Sequence, residues 1–325
     1  MEMIRAHVQV PALGKILIVC KPGDANYDKL SRLATPDITG DANQVRLYST
    51  LETAYAAAVT NENDVIVLDG QSTHVVANGI AWTKSRIHVI GFDGGDRLVQ
   101  QGAKVQSTDE AGDAYVIKVT GVRNSFHNIK FIQVDTDAAA LTVAQLGGEG
   151  NLYKNCSFTF GVADNLGSAS AFEVVNGEDS GTFIDCQFGA DTLLTTEARA
   201  VMSVDIVTSG QEFKSNRFRG CTFLISSSSA TAAFIRLAAV TDILFANVFD
   251  DCNFVASVDS AGGIAVAEAV QTGTGTNKGT LNFGYPRAFN VTNFTTATSG
   301  RNAGVQIVAP LSVSTDVVGI TPIAT

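Results

Sequence analysis

An adjacent pair of carboxylates and a set of cysteines are the residues best suited to chemistry in this chain. Asp250 and Asp251 stand in the segment FDDCNF, directly before Cys252. Two neighbouring acids could serve as the proton donor and base of a sugar-cleaving enzyme, and several thiolates could hold a metal ion. Both hypotheses depend on whether the pattern occurs once or recurs along the chain.

The cysteine pattern recurs. Four of the five cysteines are followed two residues later by phenylalanine, and successive copies lie 30, 35 and 31 residues apart. An earlier copy, NIKF, has Ile129 in the cysteine position, and a weaker late copy, VTNF, has Thr292 there. Self-similarity at a period of about 20–50 residues predicts a solenoid. One cysteine per turn forms a line and not a tetrahedron, so we expect neither a metal site nor a catalytic thiol from this set.

The intervals between copies are also patterned. Each holds a second short apolar run, a turn rich in Gly, Asn, Ser or Thr, and a third run that leads into the next copy. Three short strands per turn predict an all-β, right-handed parallel β-helix solenoid. Because alternate residues of a strand share a face, the cysteine and phenylalanine positions should point inward. The predicted core ladders are Ile129, Cys156, Cys186, Cys221 and Cys252, and Phe131, Phe158, Phe188, Phe223 and Phe254.

The two ends differ from the repeats. Residues 1–40 contain strand-like runs, and 49–60 read as a short N-terminal capping helix in which Ser49 and Glu52 fit a capping box. We expect the β-helix over 41–295 and a low-charge C-terminal tail over 296–325. That tail either packs on the last turn or forms an interface with another subunit. Its candidate interface residues are Val305, Ile307, Val308, Leu311, Val313, Val317, Val318 and Ile320.

Composition and the remaining polar residues limit the function. The formal net charge is −10 and no basic cluster occurs, so we expect no nucleic-acid partner and no membrane surface. The four histidines are scattered along the chain. Three arginines lie near the repeats, at Arg217, Arg219 and Arg236, without an acidic trio that would complete a lyase site. We therefore expect no catalytic residues, no cofactor and no enzymatic activity.

The N-terminal third carries a family resemblance. The helix followed by DVIVLDG and STHVVANGIAWTKSRIHVIGFDG resembles the opening of pectate-lyase-like right-handed β-helix proteins. Residues 14–70 are similar to β-helix proteins that tailed bacteriophages encode as virion components. The resemblance implies a virion structural protein, assembled in the host cytoplasm as a homo-oligomer, most simply a trimer. Its expected role is capsid decoration or cement on the major capsid protein or another virion protein. The alternative is a tail spike or fibre that binds, and could cleave, host polysaccharide.

Overall fold

Short strands joined by tight corners stack into three parallel sheets, which we call sheets A, B and C. The computed structural model describes residues 14–33, 45–92, 102–108, 114–135, 142–161, 170–174, 179–195, 200–204, 212–229, 231–239, 243–258, 262–274, 278–295 and 305–308. Within these residues every strand pairing is parallel. The predicted all-β parallel solenoid is therefore confirmed.

Each sheet runs the length of the solenoid. The 12-stranded sheet A contains, from one end to the other, Val45–Tyr48, Ile16–Val19, Val65–Asp69, His88–Phe92, Ser125–His127, Leu152–Lys154, Thr182–Ile184, Arg217–Arg219 with Phe213–Lys214, Ile243–Asp250, Lys278–Gly284 and Val305–Val308. The 8-stranded sheet B contains Thr73–Val76, Lys104–Ser107, Lys130–Gln133, Ser157–Phe160, Gln187–Thr195, Thr222–Ser227, Asn253–Ser257 and Arg287–Phe289. The 7-stranded sheet C contains Ile80–Trp82, Ile117–Val119, Thr142–Leu146, Ser170–Val174, Ala200–Val204, Ala233–Ala239 and Val270–Thr274. A further two-stranded sheet pairs Val266–Glu268 with Val291–Asn293.

The core is built from ladders of like residues. The structure places all ten predicted ladder residues in the interior, each at most 1% exposed. Phenylalanines on sheet B stack face to face, with ring centroids 4.9 Å apart for Phe188–Phe223 and for Phe223–Phe254. A second aromatic stack on sheet A meets the first edge to face, and it consists of Phe126, Tyr153, Phe183, Phe218, Phe249 and Phe283. In-register stacking repeats the favourable ring contact once per turn.

The cysteine ladder has a backbone role as well as a packing role. The Cys156 thiol lies 3.3 Å from the carbonyl oxygen of Phe126 in the preceding turn, and the Cys186 thiol lies 3.4 Å from that of Tyr153. A thiol is small enough for the crowded interior and still offers a weak donor to a buried carbonyl. Burial raises the pKa of Cys186 and of Cys221, which keeps these thiols protonated.

From Asn128 onward, the corner between sheets A and B contains one left-handed residue in each turn. Positive φ angles occur at Asn128 (57°), Asn155 (51°), Asp185 (51°) and Asp251 (52°). Asn, Asp and Gly tolerate this conformation best, which explains why these types recur directly before the cysteine. Strand alternation counted back from Cys252 predicts that Asp251 fills an outward strand position and that Asp250 forms the bend. Both placements are wrong, because Asp250 ends a strand and Asp251 forms the corner.

A second ladder of buried polar residues precedes sheet A. Asn124, Asn151, Asn216 and Asn247 are each at most 1% exposed. The side-chain oxygen of each accepts a backbone N–H from a neighbouring turn, as Asn216 does from Gly181 at 2.8 Å. This inner asparagine ladder links successive turns: Asn124, Asn151 and Asn216 directly precede a sheet A strand, and Asn247 lies inside strand Ile243–Asp250.

A helix lies at the N-terminal end of the core. It spans Leu51–Ala57, shorter than predicted, and its N-cap is Thr50 and not Ser49, because the Thr50 hydroxyl accepts the N–H of Thr53 at 3.2 Å. Leu51, Ala54 and Ala58 join the core cluster. Tyr55 stacks on the indole of Trp82 with ring centroids 4.1 Å apart. A second short helix, Tyr27–Ser31, lies in the segment that follows strand Ile16–Val19.

The last turn differs from the sequence expectation. The VTNF segment does not occupy sheet B, because Val291–Asn293 pairs with Val266–Glu268. The final strand of sheet B is Arg287–Phe289, which puts Ala288 beside Phe254. Phe294 fills the space next to that alanine by packing edge to face on Phe254, with ring centroids 5.5 Å apart. Its packing in the core explains why the segment resembles a repeat.

Part of the C-terminal tail pairs with the solenoid. Among the candidate interface residues, Val305, Ile307 and Val308 lie in a strand that extends sheet A by pairing with Leu281–Gly284. Leu311, Val313, Val317, Val318 and Ile320 lie outside the described residues. At the other end, strand Ile16–Val19 is inserted in sheet A between Val45–Tyr48 and Val65–Asp69, so this part of the predicted arm belongs to the sheet.

Candidate functional site

A straight row of polar side chains runs along the outer face of sheet C. Strand pairing aligns one residue from each of six successive turns, and strand neighbours of these residues such as Ile117, Val119 and Ala144 are buried on the opposite face. We call these residues the sheet C row, and they are Lys118, Gln145, Glu173, Ser203, Arg236 and Gln271. All six are partly exposed. Neighbouring members of the row are separated by one strand spacing of about 4.8 Å.

The charges in the row alternate. Lys118, Glu173 and Arg236 are each separated by one neutral member, so adjacent charges lie roughly 10 Å apart, two strand spacings. A polymer lying along this face would meet a cation, a carboxylate and a second cation in order. The neutral members between the charges are Gln145 and Ser203, which both donate and accept hydrogen bonds.

Arg236 is held in place by its neighbours. Its Nε donates to Oε1 of Gln271 at 3.0 Å, and its Nη2 donates to the carbonyl oxygen of Thr231 at 3.0 Å. Nε2 of Gln271 donates to the same carbonyl at 3.1 Å. Burial of the guanidinium lowers the pKa of Arg236 from its usual value. Partial desolvation makes a positioned cation a stronger partner for an incoming anion.

The other charges in the row are also positioned. Nε2 of Gln145 donates to a carboxylate oxygen of Glu173 at 3.0 Å, which orients that carboxylate. Nζ of Lys118 lies 5.8 Å from the ring centroid of Tyr115, within the range of a cation–π contact. The row therefore presents two oriented cations and one oriented carboxylate on a single face.

The connections that border sheet C favour this sheet, over sheets A and B, as the face that carries a binding site. From the third turn onward the corner between sheets A and B is two residues in length, as at Asn155 and Cys156 between Lys154 and Ser157. The chain between sheets B and C is longer, with eight residues between Gln133 and Thr142 and nine between Phe160 and Ser170. Long connections beside a regular scaffold are where proteins most often place binding groups. Sheet B has an outward row of its own, and none of its aligned residues is a carboxylate: they are Thr73, Lys104, Lys130, Ser157, Gln187, Thr222, Asn253 and Arg287.

The adjacent acids do not belong to the sheet C row. Asp251 forms an exposed ion pair with Arg287, with Nη2 and Oδ1 2.7 Å apart. Asp250 lies on the outer face of sheet A beside Arg219, with which it is paired across the strands. Arg217 shares that sheet A face. Of the three arginines considered from the sequence, only Arg236 lies in the row.

The described histidines lie elsewhere. His74 is buried on the inner side of sheet B, beside Val105, with Nε2 3.0 Å from the carbonyl oxygen of Asp69. His88 and His127 are buried in sheet A, and Nδ1 of His88 lies 2.8 Å from the Ser125 hydroxyl. His7 lies outside the described residues. Burial lowers the pKa of His74 and of His88.

Sequence reasoning missed the sheet C row, although a signal for it exists. Each row member is a single polar residue inside a short apolar run, as Glu173 is in AFEVV and Arg236 is in FIRLAAV. One polar residue in a run that is otherwise buried marks the outward face of a strand. Because the residues come from turns about 30 residues apart, they form no local motif.

The row is not a metal site. In the part of the chain that the structure describes, the side chains that could share a metal ion are Cys20, Asp24 and Asp69. They lie near the N-terminal end, where Cys20 and Asp69 directly follow paired strands of sheet A. Neither described helix is long and apolar enough to cross a membrane.

Comparison with known proteins defines the class. No protein-family model and no curated protein sequence matches the chain. Among solved structures it resembles the pectate lyase Pel9A, with 16% identity, a TM-score of 0.57, and coverage of 91% of this chain and 68% of that one. The pectin methylesterase from Aspergillus niger matches at 13% identity, with a TM-score of 0.45 and coverage of 88% and 96%. PemA from Erwinia chrysanthemi matches at 10% identity, with a TM-score of 0.41 and coverage of 92% and 94%.

The protein is a right-handed parallel β-helix with a fold similar to that of a pectate lyase. At this low identity the likeness establishes the fold alone. The prediction that the chain is not an enzyme is corrected, because the solved structure whose fold it shares, Pel9A, is a pectate lyase. That prediction relied on the absence of local catalytic motifs. In a solenoid, the residues of a site come from separate turns, so such an absence has little weight.

Proposed function

We propose that the protein binds an acidic polysaccharide along the outer face of sheet C. The observation that supports this most directly is the sheet C row, in which oriented cations at Lys118 and Arg236 flank the carboxylate of Glu173. A chain of sugars is an extended ligand, and a straight row with one polar group per turn presents hydrogen bonds at regular intervals. The cations are suited to the carboxylates of uronic acids.

The same groups suit proton abstraction from a uronate better than hydrolysis. Glycoside hydrolysis commonly requires two carboxylates about 5–9.5 Å apart, and the described part of the row has one, Glu173. Elimination needs a cation that neutralises the sugar carboxylate and a base that removes the neighbouring ring proton. Arg236 and Glu173 provide groups of these two kinds on one face. The bond to the leaving sugar oxygen then breaks, a carbon–carbon double bond forms in the ring, and the leaving oxygen takes up a proton from solvent.

Binding is tested first, by affinity electrophoresis and calorimetry with polygalacturonate, alginate and a neutral glucan. We expect binding to an acidic polymer and none to the glucan. Arg236→Gln and Lys118→Gln should each weaken binding by roughly 1–2 kcal/mol, about 5- to 30-fold in Kd, the contribution of a partly exposed charge-assisted hydrogen bond.

Matched controls lie on the other faces. Arg217→Gln on sheet A and Lys104→Gln on sheet B remove the same charges away from the row, and they should leave Kd within about twofold. Equal losses from row and control variants would show that binding depends on net charge and not on the sheet C row. No binding to any acidic polymer would refute the proposal.

Cleavage is tested separately, by ultraviolet absorbance of the unsaturated sugar ends that elimination produces. Glu173→Gln keeps the size and hydrogen-bonding capacity of the side chain but cannot accept the proton as a base. We expect this variant to retain polymer binding and to lose the absorbance increase. An unchanged rate in the variant would exclude Glu173 as the base.

The resemblance to phage proteins suggests a setting for this activity. A polysaccharide-binding solenoid fits a tail spike or fibre better than it fits a capsid decoration protein. The virion location, the trimer and the capsid partner stay predictions. Quantitative mass spectrometry of purified particles tests them: tens of copies per particle would indicate a tail protein, hundreds would indicate decoration, and none would exclude both.

A further inference from the structure

Cys20, the cysteine outside the core ladder, lies in a different chemical environment from the other four. Its thiol is 3.7 Å from Oδ2 of Asp69 and 3.9 Å from Oδ2 of Asp24. Cys20 and Asp69 follow paired strands of sheet A on the outer face, and both are at most 1% exposed. Asp24 comes from the loop that passes over this point and is half-buried.

We propose that Cys20, Asp24 and Asp69 form a binding site for a divalent zinc-like cation. Zinc takes a thiolate sulfur at about 2.3 Å and carboxylate oxygens at about 2.0–2.2 Å in a tetrahedron. Those bond lengths require sulfur–oxygen separations of roughly 3.5–3.7 Å. The two separations in the structure are therefore within a few tenths of an ångström of two edges of the tetrahedron.

The two carboxylates at this point are held by hydrogen-bond donors and not by a described cationic side chain. Buried charges in proteins are paired or coordinate metals. Asp69 is fully buried, and in the described part of the chain neither Asp69 nor Asp24 forms a salt bridge. The carboxylates of Asp69 and Asp24, both within 4 Å of the Cys20 sulfur, place negative charge at this point. The same negative potential attracts a cation, which would displace the thiol proton.

The surroundings orient the carboxylate as metal sites require. Oδ1 of Asp69 accepts from Nδ2 of Asn26 at 2.7 Å, and Oδ2 accepts from the Ser72 hydroxyl at 2.6 Å. Hydrogen bonds of this kind, made by groups around the ligands, fix the ligating oxygens of known metal sites. Lys21, Pro22 and Gly23 are exposed, so the site opens to solvent beside Asp24. A solvent ligand would complete the fourth position.

A bound cation would anchor the loop after strand Ile16–Val19 to the outer face of sheet A. Two of the three ligands, Cys20 and Asp24, belong to that loop region, and Asp69 belongs to the sheet. This role is structural and independent of the polysaccharide proposed for sheet C, which lies on another face of the solenoid.

The test uses the full chain, dialysed against zinc and then against metal-free buffer, with bound metal measured by mass spectrometry. We expect one zinc per chain in the wild type and in the control Cys156→Ser, which changes a core-ladder thiol. Cys20→Ser should retain no zinc, and Asp24→Asn, a change in the half-buried loop, should weaken zinc binding at least tenfold. Zinc should raise the Tm of the wild type and leave that of Cys20→Ser unchanged.

Cobalt gives a direct view of the thiolate. The cobalt-loaded wild type should show a sulfur-to-metal charge-transfer band that Cys20→Ser lacks, with circular dichroism confirming that both proteins are folded. A wild type that retains no zinc, a Cys20→Ser variant that retains as much, or a cobalt spectrum without the band would overturn the proposal.

Discussion

Removing one amide from the inner asparagine ladder should destabilise the solenoid strongly. Oδ1 of Asn247 accepts from both the backbone N–H and Nδ2 of Asn216 at 3.1 Å, and its Nδ2 donates to the carbonyl oxygen of Phe213 at 3.0 Å. Asn247→Leu keeps the approximate size but leaves the Asn216 N–H and the Phe213 carbonyl buried without these partners. Each unsatisfied group costs about 1–3 kcal/mol, so we expect the free energy of unfolding to fall by about 4 kcal/mol.

The assay is urea denaturation followed by far-ultraviolet circular dichroism. The matched control is Asn253→Leu, because Asn253 lies on the outer face of sheet B, only partly buried, with a 3.5 Å contact to Thr222. A change at such a site should cost less than about 1 kcal/mol. A loss below about 1 kcal/mol in Asn247→Leu, or a loss no larger than that of the control, would refute the role given to the ladder.

Three further predictions concern the helix, a corner and pH. Nζ of Lys84 donates to the carbonyl oxygens of Tyr55, Ala56 and Ala58 at the end of the helix, at 2.7–2.8 Å. Lys84→Met should therefore lower the free energy of unfolding in urea by about 1–2 kcal/mol. An unchanged urea midpoint would contradict this. Gly189 has a φ of +81°, and a Cβ there would collide with the Leu224 carbonyl, so Gly189→Ala should cost at least about 2 kcal/mol in urea melts. Gly150→Ala should cost less, because Gly150 also has a positive φ (+65°) but its Cβ would make only an ordinary contact, 3.6 Å from Cγ of Arg123. Burial lowers the pKa of His74 and His88 below 6.5, so the unfolded chain binds more protons than the folded chain as the pH falls through 6.5. The free energy of unfolding should therefore be at its full value above that pH and should decline below it, by up to about 1.4 kcal/mol per pH unit for each histidine. His74→Phe should make this decline less steep.

The repeat and its core could be predicted because they depend on local alternation. Cysteine and phenylalanine two residues apart must share a face of a strand, and their recurrence fixes the period. Strand alternation gave a wrong prediction one residue earlier, at Asp251, which forms a left-handed corner and not a strand position. A left-handed corner and an outward strand position both favour polar residues, and only the backbone conformation separates them.

The sheet C row could not be found in the same way. Which residues of successive turns align depends on the length of the connections between the sheets, and these lengths vary from turn to turn. Glu173 and Arg236 are 63 residues apart in the chain and two strands apart in the sheet. A shift of one residue in either connection would turn the side chain from solvent into the core.

The prediction that VTNF is a late copy of the repeat strand was wrong for a different reason. Its phenylalanine, Phe294, does pack in the core, but it reaches Phe254 from outside the sheet B strands. At the last turn no further turn continues the ladder, so an aromatic ring from the next segment can cover the stack. Sequence similarity therefore detected the packing requirement and misplaced the strand.

The strand register of sheet C sets a constant spacing between the residues of the sheet C row. Each turn adds one side chain to the row, at a fixed step of about 4.8 Å along the solenoid axis. Gain or loss of a whole turn would lengthen or shorten the row by that step without disturbing the turns that remain, because each turn contacts only its neighbours. Under the proposed polysaccharide binding, duplication of one 30-residue unit would lengthen the stretch of polymer bound, while a point substitution in the row would change the contact with a single sugar.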